Sequence, residues 1–352
     1  MSYLLVRDFD TEAFRAIAWT WNSTLWLAVT ILMAAVRDLA YMWRIRTLTE
    51  RALDWKRCFY VTFLWEFASA LVPPVLGGGF AFAILFLMGE RIPGGKSIAI
   101  VMVTSLLDGL FFAVMAPLVV LFIGKSGLFS GINPENIATI SYGRELFVAF
   151  WIIYGIILLY KLVVVYAVFI NARAVKWLLI KICALPLMKR WKYRAAQTGT
   201  EMVIASHELK HKTIRFWTDS IISTFLSWTA RFIIINSLIM AFSDISVSHL
   251  LLYGRQVVMG ILMIGSPTPG GSGVAELVFS NFLNEFIPVG LVASLALFWR
   301  LIAYYAYLFI GVVLLPAWLK RVLPFTHLHE DKLNGKSGHV MRDTTTGGIF
   351  QK

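Results

Sequence analysis

Charge is what this sequence has least of. Only 15% of its 352 residues are Asp, Glu, Lys or Arg, where a soluble domain carries about 25%. Hydrophobic residues make up 59% and mean hydropathy is +0.73, so there are too few charges to coat a globular surface. A soluble fold is excluded, and the chain reads as a multispanning membrane protein. Cysteine is nearly absent: Cys58 and Cys183 cannot make a disulfide framework and have no Cys-x-x-Cys spacing, so both read as packing residues. The N-terminus also lacks the basic start of a cleavable signal, because Asp8, Asp10 and Glu12 precede the first apolar run. That run is expected to be retained.

A bilayer core about 30 Å thick needs about 20 apolar residues in a helix. Residues 17–36, 98–123, 146–170, 217–242 and 289–319 satisfy this as full spans. Two further apolar stretches are interrupted by helix breakers. Residues 58–89 contain Pro73, Pro74, Gly77, Gly78 and Gly79, and residues 250–283 contain Pro267, Pro269, Gly270, Gly271 and Gly273. Each reads as two half-helices joined by a break.

The charges between spans set the orientation, since short cytoplasmic loops carry the Lys and Arg excess. Residues 44–57 sum to +3, 90–97 to +1, 171–215 to +8 and 320–352 to +3, whereas 124–145 and 243–256 each sum to zero. The N-terminus is then outside and the C-terminus cytoplasmic. Both flanks of 58–89 are basic and both flanks of 250–283 are not, so each broken segment should enter and leave on one side, the first from the cytoplasm and the second from outside. The expected fold is an all-α polytopic membrane protein. It has two inverted-topology repeats, each with a re-entrant Pro/Gly-broken helical hairpin, around a central cavity. Its parts are a polar segment 1–16, a first repeat 17–123 and a connector 124–215. A second repeat 216–319 and a polar cytoplasmic tail 320–352 follow. Asp108 lies 35 residues after Pro73 and Arg300 lies 33 after Pro267, a spacing that fits the repeat.

Backbone that leaves helical geometry at membrane depth survives only where protein or a watery cavity satisfies its N–H and C=O groups. In each hairpin the returning half-helix begins at the break, so its free N–H groups and positive dipole end point toward the bilayer middle, a ready site for an anion. Ionisable side chains within spans cost about 2.5 to 3.5 kcal/mol each on insertion scales and usually face a cavity or a partner. Here they are Glu66, Asp108, Lys161, Asp219, Arg231, Glu276 and Arg300. Arg300 suits a phosphate gripped through two N–H groups or a buried pair with Glu276 or Asp108. Glu276, in the first turn of its half-helix, suits capping or a carboxylate that couples ion movement.

The run Ser266-Pro267-Thr268-Pro269-Gly270-Gly271-Ser272-Gly273-Val274-Ala275-Glu276, followed by the apolar segment holding Arg300, resembles the Pro-Gly-Gly-x-Gly-x-x-Glu signature of the lysylphosphatidylglycerol synthase transmembrane region family, also called the flippase-like domain. Looser similarity lies in Arg37 to Arg44, Pro73 to Gly79, and Leu107-Asp108, so the likeness extends over most of residues 20–320. The resemblance implies a cytoplasmic-membrane protein that moves an anionic or aminoacylated phospholipid, or a polyisoprenyl-linked lipid, between leaflets. No cofactor is expected, and a homo-oligomer is left open. Family members with a soluble aminoacyltransferase domain also make the lipid, but residues 320–352 offer only a polar tail, so synthesis is not expected. Many members carry an extra span before the first one here, for which Met1 to Arg15 are too few and too polar. Many also have a carboxylate and an arginine soon after the first-half glycines, where this chain has Gly79-Phe80-Ala81-Phe82.

Two other chemistries compete. His207-Glu208-Leu209-Lys210-His211 fits the His-Glu-x-x-His pattern of zinc proteases, with Asp108 as a conceivable third ligand. In the membrane proteases of that kind the aspartate follows the histidines, and here it precedes them by about a hundred residues. The neighbouring Lys210 and Lys212 also disfavour a dication, so no metal is expected. The stretch 174–195 interleaves Trp177, Leu178, Ile182 and Trp191 with Lys176, Lys181, Lys189 and Arg190. It reads as an in-plane helix on an anionic leaflet, a simpler partner beside two spans than nucleic acid. A non-transporting accessory subunit of an envelope lipid or glycan assembly complex is the alternative function. The head-group site is expected to comprise Pro267, Pro269, Gly270, Gly271, Gly273, Glu276, Arg300, Asp108, Pro73, Pro74, Gly77 and Gly78.

Overall fold

The computed structural model describes residues 19–73, 78–129, 142–182, 192–243, 248–288 and 290–339, and among them the regular structure is entirely helical. The helices are α1 (Trp21–Leu48), α2 (Trp55–Leu71), α3 (Phe80–Gly89), α4 (Gly94–Phe129), α5 (Tyr142–Val165), α6 (Ala172–Ile182), α7 (Lys192–Lys210), α8 (Ile214–Phe242), α9 (His249–Ile264), α10 (Val274–Leu283), α11 (Val292–Arg300) and α12 (Ala306–His339). Wide π turns occupy Tyr166–Ile170, after α5, and Leu301–Tyr305, between α11 and α12. Five segments among the described residues are long and apolar enough to cross a membrane: Trp21–Leu48, Gly94–Phe129, Glu145–Ile170, Ile214–Phe242 and Val292–Val322. These are the five spans expected from hydropathy, and the protein is an all-α polytopic membrane protein.

Two boundaries differ from the apolar runs. Helix α1 does not stop near residue 36 but continues to Leu48, because Arg37 and Arg44 are buried against partners rather than exposed at a span end. Helix α4 kinks at Gly124, whose φ of 80° and ψ of 162° break helical geometry next to the end of the apolar run at 123, and a second helical piece continues to Phe129. The polar segment 1–16 lies outside the described residues, as does the part of 174–195 at 183–191.

Helices α1 and α8 pack antiparallel along their lengths. On α8 the buried side chains include Ser220, Ser223, Thr224, Ser227 and Ser237, recurring at helical spacing. Such small residues let two backbones approach closely in lipid. Their hydroxyls are satisfied within the helix, as in Thr224 Oγ1 to Ser220 O at 2.7 Å, or across the pair, where Thr30 Oγ1 lies 2.9 Å from Ser237 Oγ.

Both broken segments form hairpins. At the open end of α2–α3, Arg57 lies 3.8 Å from Glu90, whose carboxylate also accepts from Trp318 Nε1 at 2.8 Å and pairs with Arg321. Helices α2, α3 and α12 are thus gathered around one buried carboxylate. At the open end of α9–α10, Arg255 donates to Phe282 O at 2.8 Å, pairs with Glu285 at 2.8 Å, and reaches Gly127 O at 3.0 Å. The first cluster lies at the basic end of the molecule. There Glu50 pairs with Lys96 at 2.8 Å and Lys212 at 2.6 Å, which brings residues 44–57, 90–97 and the α7–α8 connection together.

Candidate functional site

The closed ends of the two hairpins meet. Tyr304, in the wide turn before α12, donates through its hydroxyl to Ala70 O near the end of α2 at 3.3 Å, and its ring packs on Gly270 in the second break. Between the tips is a cavity of about 260 Å³, whose walls include Ser69 and Ala70 from the first hairpin and Gly270 and Gly271 from the second. The glycine at 270 is required twice over: its φ is +56°, and an added Cβ would fall inside the Tyr304 ring. The remaining wall is mostly apolar, with Ile235, Met259, Met263 and Ile264 beside the rings of Phe232, Trp228, Trp299, Tyr304 and Tyr307, and it is interrupted by the polar groups of Glu66, Arg231, Gln256 and Arg300.

The charges divide into those already spent and those facing the cavity with bonding capacity left. Arg300 donates through Nε to Glu276 Oε1 at 2.8 Å, through Nη1 to Gly270 O at 3.0 Å and through Nη2 to Ser272 Oγ at 3.0 Å. Glu276 Oε2 in turn accepts from Gly273 N, closing the end of its own helix. Of the alternatives for these two residues, the structure therefore selects mutual pairing and capping. Arg300 lines the cavity, but its donors hold the break in shape.

Glu66 and Arg231 are placed differently. Arg231 Nη2 donates to Glu66 Oε1 at 3.3 Å, a long contact between side chains that are 22% and 30% exposed, and the guanidinium lies over the Trp228 ring at 4.9 Å. Its Nε is buried without a hydrogen-bond partner among the described residues, and so is Gln256 Oε1 on the facing wall. A buried polar atom left unpaired costs about 1 to 3 kcal/mol. Both residues line the cavity, but neither atom is itself accessible from it, so each would gain a partner only if its side chain turned.

Behind the wall, polar groups form a second layer. Asp38 accepts from Tyr307 Oη at 2.8 Å and from Arg37 Nη2 at 3.0 Å, while Arg37 lies over the Tyr307 ring. Asp108 accepts from Arg44 Nη1 at 2.6 Å and from Trp228 Nε1 at 2.9 Å. Asp108 thus touches the cavity only through Trp228. Lys161 donates to Ser105 O at 2.7 Å rather than snorkelling to a span end.

Of the residues expected at the site, Gly270, Gly271 and Arg300 are in the cavity wall. Pro267, Pro269, Gly273, Glu276 and Asp108 are not among its described lining residues. Pro73 and Gly78 form the first break, where Gly78 N donates to Pro73 O at 3.1 Å, and Pro74 and Gly77 lie outside the described residues. Tyr304, Tyr307, Trp228, Gln256 and the Arg37–Asp38 pair were missed. Only the last carried a visible signal, a charged dipeptide soon after an apolar run. His207 on α7 and His211, in the turn just past its end, have ring centroids 4.5 Å apart. Among the described residues no group of three His, Cys, Asp or Glu could hold a metal.

Against known proteins, the family model described as "Lysylphosphatidylglycerol synthase TM region" matches residues 1–311. A protein of Archaeoglobus fulgidus described as "UPF0104 membrane protein" is 24% identical over 302 residues, covering 82% of this chain and 85% of the relative. No solved structure matches.

Proposed function

The chain belongs to the lysylphosphatidylglycerol synthase transmembrane region family, and from that premise we propose that it carries the polar head group of a membrane lipid between leaflets through the cavity where the two hairpin tips meet. The lipid is an anionic or aminoacylated phospholipid or a polyisoprenyl-linked lipid, and its chains remain in the bilayer while the head group crosses. The observation that carries this reading is the cavity itself. It is a largely apolar chamber at the junction of two broken segments, and its wall carries the Glu66–Arg231 pair, Gln256 and Arg300.

Several features support the arrangement. The ends of α2–α3 share the Glu90 cluster and those of α9–α10 share Arg255, as hairpins entering from opposite faces would. The Lys and Arg excess at the Glu90 end supports a cytoplasmic position for it in this reading. Two inverted repeats, 17–123 and 216–319, with the head-group site at their interface, follow the plan of transporters built from discontinuous helices. Moving a phosphate into hydrocarbon unaided is prohibitive, so a chamber with Arg231 available is the physical requirement. In this reading Arg231 attracts the phosphate, Glu66 holds Arg231 while the chamber is empty, and Arg300 and Glu276 keep the second break open.

The test is transbilayer movement of a head-group-labelled phosphatidylglycerol in vesicles reconstituted with the full chain. The expected result is movement faster than in protein-free vesicles, lost in Arg231→Gln and slowed in Glu66→Gln with both variants folded and inserted. Equal rates with and without the wild-type protein would overturn the proposal in favour of an accessory, non-transporting subunit.

A further inference from the structure

A second cavity, of about 310 Å³, lies at the basic end of the molecule, far in the chain from the hairpin tips. Its described lining is Ile170, Asn171, Arg173, Val203, Ser206, His207 and Lys210. None of these is acidic, and three carry basic nitrogens. The volume falls at the lower end of the about 300 to 1,000 Å³ usual for small-molecule sites.

Local structure explains why these groups converge. Helix α5 ends in the wide turn Tyr166–Ile170, and Asn171 leaves helical geometry at φ −134°, ψ 70°. Its side chain accepts from Ala174 N at 3.2 Å, which starts α6 in a new direction and sets Arg173 beside the turn. Helix α7 comes back across α6, and Ser206 Oγ donates to Val168 O inside the wide turn, fixing the register of α7 there. His207 and Lys210, three positions apart, then share the face of α7 that meets Arg173. The His207 ring is steadied by His211, whose ring packs against it at a tilt of 38° and whose Nδ1 lies 2.8 Å from His207 O. The carboxylates of the neighbourhood have other places: Glu201 accepts from Gly95 N at 2.9 Å, and Glu208 is exposed and outside the described lining. Helix α6 carries an exposed Trp177 with Lys181 over its ring at 4.4 Å, as an element lying at a membrane surface does.

We propose that the pocket formed by Arg173, His207 and Lys210 with Asn171 binds a phosphate group, taken from the phosphodiester of an anionic lipid in the adjacent leaflet or from a soluble phosphate. Arg173 offers a planar fork of donors, Lys210 a point charge, and Asn171 and His207 neutral or switchable donors, a set matched to a tetrahedral oxyanion. This accounts for the His-Glu-x-x-His pattern without zinc: the face that bears the histidines presents cations to an anion. The site is independent of the proposed head-group chamber.

The test follows thermal unfolding of the full chain in detergent with three probes at matched ionic strength: inorganic phosphate, short-chain phosphatidylglycerol and short-chain phosphatidylcholine. Stabilisation by phosphatidylglycerol but not phosphatidylcholine, with phosphate inert, identifies the lipid source; stabilisation by phosphate itself identifies the soluble one. In either case the variant Arg173→Gln/Lys210→Gln should weaken the effect about tenfold or more. Lys181→Gln/Arg215→Gln, which removes the same charge outside the pocket, should keep it. The proposal fails if neither phosphate nor phosphatidylglycerol stabilises the wild type, if the pocket variant responds as the wild type does, or if both double variants lose the response equally, since the last would mark a diffuse basic surface.

Discussion

At the tip of α9–α10 one guanidinium reaches Glu276, Gly270 and Ser272 at once, whereas at the tip of α2–α3 the bond found among the described side chains is the Ser69 hydroxyl accepting from Gly79 N at 3.3 Å. The returning helices differ in the same sense. Helix α10 starts with a carboxylate that closes its own N-terminus, while α3 starts Phe80-Ala81-Phe82 with no side-chain cap. Their open ends are alike, each gathered around one buried charged residue, Glu90 or Arg255. The difference is therefore confined to the tips. The second hairpin has an ionically fixed tip and serves as the frame. The first contributes Glu66 to the cavity from the limb leading to its break, and the ion pair seen there among the described residues is the long one from Glu66 to Arg231 of α8. In membranes a single polar contact between helices is worth about 0.6 kcal/mol on average, but a desolvated ion pair broken on one side costs several times that.

Removing the frame's cation should do the most damage. Arg300→Ala leaves Glu276 charged and without its ion-pair partner beside two groups, Gly270 O and Ser272 Oγ, that lose a donor, an expected loss of about 3 to 5 kcal/mol, seen as a drop in thermal stability in detergent. Because the loss is structural, transport by this variant should fail together with folding. A folded Arg300→Ala protein of undiminished stability would show that the two tips are not differently braced. Gly270→Ala is next, at about 1 to 3 kcal/mol, since the added Cβ meets the Tyr304 ring and sits at positive φ. Tyr304→Ala should recover the steric part and not the backbone part.

At the other tip Ser69→Ala removes one neutral hydrogen bond and should cost only about 1 kcal/mol. A cost equal to that of Arg300→Ala would erase the contrast. The smallest effect is expected at the basic end. Burial alone would raise the Glu50 carboxyl, but hydrogen bonds from Lys212 and Lys96 hold it below the usual carboxylate range. A depressed folded value means that the pair's contribution is complete at neutral pH and is lost as pH falls through the carboxylate range. Partial exposure limits it to about 1 kcal/mol. Glu50→Gln should accordingly lower the midpoint slightly at pH 7 and not at all near pH 3, measured by the same unfolding assay.

The spans and the positions of both breaks were legible because they depend on quantities additive along the chain, apolar length and the density of Pro and Gly. The partners of charges were not. Arg44 and Asp108 are 64 positions apart, and Asp38 and Tyr307 are 269 apart, so nothing local marks them as neighbours. Asp38 and Arg44 were hidden for a further reason, since a helix expected to end at residue 36 puts them in a loop. Arg255 was counted with Asp244 as a neutral connection, although it is 1% exposed and ties together three segments. The Arg300–Glu276 pair was legible as one of two options because both residues fall at fixed distances from the glycine run. The cavity's aromatic wall was not, since Trp and Tyr are abundant throughout a chain of this composition.

The wide turn Leu301–Tyr305 holds one residue more than an ordinary helical turn, and that surplus sets the angular offset between Arg300, which serves the second tip, and Tyr304 and Tyr307, which serve the first tip and Asp38. Each residue of helix is worth about 100° of rotation. Deleting a single position such as Ile302 would thus swing everything upstream by more than a quarter of a circle. Substitutions within the turn can be absorbed, but its length cannot change, and insertions or deletions there should be the least tolerated in the molecule.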